Sequence, residues 1–104
     1  RLTEVPDDIT WFVTSINLSY NSIPMLGPNA LSNFTELERL ELSFNNISFI
    51  HDDAFEGVNN LRHLNLSNNQ LTDFPVLRNT PALNYLDLND NKIRKIPDDA
   101  LDRL

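Results

Sequence analysis

The chain repeats one pattern of hydrophobic and polar positions four times. VTSINLSYNSI (13–23), LERLELSFNNI (37–47), LRHLNLSNNQL (61–71) and LNYLDLNDNKI (83–93) all fit L-x-x-L-x-L-x-x-N-x-L, with Val or Ile as the only substitutes. Their starts lie 24, 24 and 22 residues apart, a period that marks stacked structural units. In each unit the L-x-L alternation predicts a short strand. Its inner face carries Ile16 and Leu18, Leu40 and Leu42, Leu64 and Leu66, or Leu86 and Leu88. One unit alone cannot bury these side chains. Stacked units can, with the strands in a parallel sheet and a returning limb closing each coil.

Asn21, Asn45, Asn69 and Asn91 stand where the chain turns inward after each strand. An amide there offers two donors and an acceptor to backbone groups that water cannot reach. These four are read as a structural ladder. Asn68, one residue earlier, is read as outward, so that its loss should cost little. Five residues beyond each ladder Asn comes an apolar residue: Leu26, Ile50, Phe74 or Ile96.

The limb IHDDAFEGV (50–58) resembles the I-P-x-x-A-F-x-x-L tail of the 24-residue class of leucine-rich repeats. IPDDALDRL (96–104) follows that tail, and LGPNALSNF (26–34) follows it more loosely. The resemblance implies an α/β solenoid: a right-handed coil with a short parallel β-sheet on the concave face and an irregular or short-helical convex side. It also implies protein recognition in an extracellular setting, since the class includes Toll-type receptors, Slit-like guidance proteins, small matrix proteoglycans and hormone-receptor ectodomains. DFPVLRNTPA (73–82) departs from the tail by two residues, so its limb is expected to be extended and stiffened by proline. LTEVPDDIT (2–10) resembles the segment that follows the cysteines of an extracellular N-terminal cap, although those cysteines are missing here.

The expected organisation is one domain over 1–104: a partial cap-like coil at 1–12, then repeats at 13–36, 37–60, 61–82 and 83–104. The expected context is a longer solenoid, because repeat arrays need polar terminal caps. The alternative is a small protein that pairs with a second copy through open coil ends, with Val5–Ile9 on one side and Leu101 and Leu104 on the other, or through the concave face.

Composition narrows the function further. The formal charge is −7, with 15 acidic against 8 basic residues, which opposes binding to nucleic acid or to an anionic membrane surface. No apolar run approaches a membrane span. Without cysteine, disulfides and thiol chemistry are ruled out. His51 and His63 fall at different phases of the coil, and no phosphate loop or hydrolase motif occurs, so no catalytic residue, cofactor or metal is expected. The pairs Asp7–Asp8, Asp52–Asp53 and Asp98–Asp99 could converge on calcium. Capping of the following turns is the preferred reading.

Four N-glycosylation sequons occur, at Asn17, Asn33, Asn46 and Asn65. Asn33 and Asn46 lie on the limb and turn, whereas Asn17 and Asn65 stand on the sheet face. The outward residues of the strands form the candidate partner site: Tyr20, Glu38, Arg39, Glu41, Phe44, Arg62, His63, Tyr85 and Asp87. Exposed aromatics with arginine are typical interface anchors. Glu38 is expected to pair with Arg62 across adjacent strands, leaving Arg39, Glu41 and His63 as a mixed-charge centre. The expected partner is a protein ligand or co-receptor at the cell surface, with a cytoplasmic scaffold as the alternative setting.

Overall fold

The computed structural model describes residues 1–102; Leu104, one of the residues expected at an open coil end, lies outside them. The four L-x-L segments form β1 (Ser15–Asn17), β3 (Arg39–Glu41), β5 (His63–Asn65) and β6 (Tyr85–Asp87). They pair in the order β1-β3-β5-β6, every pair parallel. Register follows the repeat alignment: Ile16, Leu40, Leu64 and Leu86 are successive partners. Thr14, Glu38 and Arg62 each use their carbonyl oxygen to accept two N–H groups from the next coil, so the coils stack by one rule.

The core is a column of these side chains, closed on the limb side by Leu26, Leu31, Phe34, Ala54, Phe55 and Val58. Leu86 and Leu88 of the fourth strand are only partly buried. Ile96 is exposed where Leu26 is buried, and Leu101 is exposed where Leu31 and Phe55 are core. On the other flank, Val5 and Ile9 are half-buried.

The four asparagines bond backbone groups where the chain turns inward. Asn45 donates through Nδ2 to Leu18 O of the coil before it (3.0 Å) and Leu42 O of its own (3.1 Å), and its Oδ1 accepts from Ile23 N. Asn69 repeats this with Leu42 O, Leu66 O and Ile47 N, and Asn91 with Leu66 O, Leu88 O and Leu71 N. Asn21 bonds Leu18 O and accepts from Leu2 N at 2.8 Å. Leu2 therefore takes the place of Ile23, Ile47 and Leu71 in the partial coil.

Each ladder Asn is preceded by a residue in the left-handed region: Tyr20 (φ 61°), Phe44 (56°), Asn68 (57°) and Asp90 (58°). Asn68 is therefore not a neutral position, since alanine adopts that conformation at a cost that asparagine largely avoids.

The convex side is built of turns; no helix occurs among the described residues. A second parallel sheet of two strands, β2 (Met25–Leu26) and β4 (Phe49–Ile50), flanks the first two limbs. The expected capping by aspartate is not formed. Among the described residues no Asp7, Asp8, Asp52, Asp53, Asp98 or Asp99 carboxylate accepts a backbone N–H. Instead His51 Nδ1 accepts from Asp53 N at 3.0 Å, and Asp53 pairs with Arg78.

Candidate functional site

Strand register places the outward side chains of the concave face in rows. One row runs Ser15, Arg39, His63, Tyr85, and the next runs Asn17, Glu41, Asn65, Asp87. In the second row three side chains fold back on their own strand. Asn17, Asn65 and Asp87 each accept, through Oδ1, the N–H two residues on, at 2.9–3.0 Å. This is the Asx-turn habit of short polar side chains. Glu41 is one methylene longer and reaches sideways instead. Its Oε1 meets Arg39 Nη2 at 2.9 Å and His63 Nε2 at 2.8 Å, while its Oε2 accepts from Asn65 Nδ2 at 2.9 Å. Glu41 is thus held by three neighbours, with only 15% of its side chain exposed.

The expected pairing of Glu38 with Arg62 is not formed. Among the described residues Glu38 makes no ion pair, and its link to coil 3 is the carbonyl that accepts Arg62 N and His63 N. Arg39 turns along its own strand to Glu41 rather than across to a neighbour.

Two aromatic stacks flank this hub. His63 lies flat on Tyr85, centroids 4.2 Å apart and planes within 2°. Tyr20 lies on Phe44 at 4.7 Å and 5°. The first stack comes from strand positions in register; the second comes from the left-handed turns beyond the strands. Tyr20, Phe44 and Tyr85 all remain substantially exposed. The candidate residues therefore fall into three groups. Arg39, Glu41, His63 and Tyr85 are joined through contacts, with Asn65 added to them. Tyr20 and Phe44 form a separate pair. Glu38, Arg62 and Asp87 stand on the same face outside both groups.

The sequons differ in their surroundings. Asn33 and Asn46 are exposed, as is Asn17. Asn65 is part-buried, and its Nδ2, the atom a glycan would take, is engaged by Glu41. Ser67, the hydroxyl of that sequon, is buried. The described residues contain no group of three or more His, Cys, Asp or Glu side chains placed to hold a metal ion, and no helix long and apolar enough to cross a membrane.

A family model described as leucine rich repeat matches residues 13–71 and, in an overlapping placement, 35–93. The chain belongs to the leucine-rich repeat family. Comparison with curated proteins finds no match. As a leucine-rich repeat domain the chain is a protein-interaction module, of a kind that is typically non-enzymatic.

Two exposed apolar pairs of this leucine-rich repeat escaped the sequence reading. Met25 and Phe49 face solvent from paired positions of the second sheet, and Trp11 packs edge-on against Phe12 before β1. The first had a usable signal: both stand four residues beyond a ladder Asn. Trp11 and Phe12 had none, because they precede the repeated pattern.

Proposed function

We propose that this domain recognises a protein ligand through its concave face, as part of an extracellular receptor or adhesion protein. One observation carries the reading. Glu41, Arg39, His63, Asn65 and Tyr85 are locked to one another on an outward surface, by contacts that the leucine core and the asparagine ladder do not need. Side chains already ordered lose little further entropy on binding. The extracellular part rests on the limb pattern and on the three exposed sequons. Sugars at Asn33 and Asn46 stand off the concave rows, whereas Asn65 keeps its amide for Glu41.

Four strands about 4.8 Å apart and at most about 17 Å long cover roughly 300 Å², less than half of the about 800 Å² each partner gives to a standard interface. The chain alone therefore binds weakly. The test is a panel of purified cell-surface ectodomains probed with a multivalent form of the chain, followed by substitution. Arg39→Ala and Tyr85→Ala are expected to lower the captured signal about tenfold, and Asp52→Ala on the convex side to leave it unchanged. Loss confined to Asp52→Ala would sink the reading. Mass measurement of the chain from a secretory host, showing no glycan at Asn33 or Asn46, would count against the extracellular assignment.

A further inference from the structure

Tyr20, Phe44, Asn68 and Asp90 form one row with one backbone state, all with φ between 56° and 61°. Asparagine and aspartate enter that left-handed region readily; bulky L-residues seldom do. Coils 3 and 4 show what the backbone asks for at this place. Coils 1 and 2 carry aromatic rings there instead. Phe44 is 44% exposed although a coil packs on either side of it. Stacking on Tyr20 explains how the two rings sit. It does not explain why an exposed turn that suits asparagine carries a ring at all. A contact beyond the chain does.

Charge identifies the kind of contact. The concave face carries four carboxylates, Glu38, Glu41, Asp87 and Asp90, against two guanidinium groups, Arg39 and Arg62. Arg39 and Glu41 pair with each other, which leaves Glu38, Asp87 and Asp90 against Arg62. Asp90 lies two coils from Phe44 along its own row, about 10 Å away. We propose, resting on the concave-face reading above, that the Tyr20–Phe44 stack is the apolar anchor for a basic segment of a partner protein, whose cations meet Asp87 and Asp90. An apolar stack with carboxylates about 10 Å further along its row suits a segment that alternates apolar residues with arginine, which offers a planar cation on an apolar stem. A second copy of this chain is a poor occupant, because it brings the same formal charge of −7.

The chain itself supplies substitutions that preserve the backbone. Phe44→Asn puts at 44 the residue that coil 3 already holds at 68 in the same conformation. Asp87→Asn puts at 87 the residue that makes the same Oδ1 bond at 17 and 65. The experiment is an amide NMR titration of the isotope-labelled chain with a short blocked peptide alternating arginine and leucine, and with its glutamate–leucine counterpart. The expected result is movement of amides in 41–44 and 87–90 with the arginine peptide, which binds about tenfold more tightly than the glutamate one. Phe44→Asn and Asp87→Asn should each weaken it about fivefold while the dispersed spectrum of the folded chain is kept. Equal affinity for the two peptides, no response to either, or undiminished binding by Phe44→Asn overturns the inference and leaves the concave-face reading standing. Shifts confined to limb residues such as Asp52 and Arg78 overturn the concave-face reading itself.

Discussion

Coils 2 and 3 have the same strand side and different limbs. On the strand side each repeats the other: Leu40 and Leu64 are fully buried, and Asn45 and Asn69 hold equivalent carbonyls of their own and the preceding coil. On the limb side coil 2 runs from Ile50 to the core residue Phe55 through the turn His51–Ala54, closed by Ala54 N to His51 O at 3.0 Å. Coil 3 reaches its counterpart, Leu77, only three residues after Phe74, so that turn is absent. Pro75 stands where His51 does. His51 N bonds Leu26 O at 2.8 Å, but proline has no N–H to offer Ile50 O, and the second sheet ends at two strands. Thr80 then occupies a fully buried place held by Phe34 and Val58 in the first two coils, its hydroxyl satisfied by Leu77 O. Asn79 Nδ2 beside it is buried without a partner among the described residues. The strand side tolerates no change of length, because a slipped strand would turn its leucines outward. A limb can lose two residues so long as one apolar side chain still reaches the column.

That contrast can be broken at graded cost. Asn69→Ala should be the most damaging, at about 1–3 kcal/mol, because it leaves the buried Ile47 N without a partner and removes one of the two amide donors at each of Leu42 O and Leu66 O. Denaturant midpoints measure this, and a value matching Asn68→Ala would refute the division into inward and outward asparagines. Gly57→Ala attacks the limb of coil 2, where φ is +92° and an added Cβ would meet Ser32 O at 2.9 Å. A loss of about 1–2 kcal/mol is expected from the left-handed backbone and the close carbonyl. An unchanged melting temperature would show that the limb yields more easily than the strand side.

Asn68→Ala should cost about 1 kcal/mol through backbone strain alone, so glycine at 68 should recover most of the loss in thermal unfolding. Pro75→Ala should be the mildest, within about 0.5 kcal/mol. It returns an N–H to the limb, and slowed hydrogen exchange at residue 75 would show the second sheet growing to a third strand. Fast exchange there would mean that the missing turn, and not the missing N–H, ends the sheet.

The repeated leucines and asparagines dictated the strand register, the ladder and the position of the core, because each is a local rule applied four times with no competing solution. The face that carries the candidate site was legible for the same reason: alternation along a strand decides which residues point out. The partners of those residues were not. Glu38 and Arg62 are adjacent in register and opposite in charge, yet exposed side chains so placed gain little from pairing, and they stay apart. Glu41 reached Arg39, His63 and Asn65 because its neighbours in the row were short enough to bond their own backbone and it was not. In coil 2 His51 caps the turn at Asp53 N where the aspartates do not, and proline at 75 ended a sheet that the pattern did not announce. Period and burial follow from residue type. The pairing of long polar side chains depends on reach, backbone angle and which neighbour is already engaged, and only the assembled coils decide those.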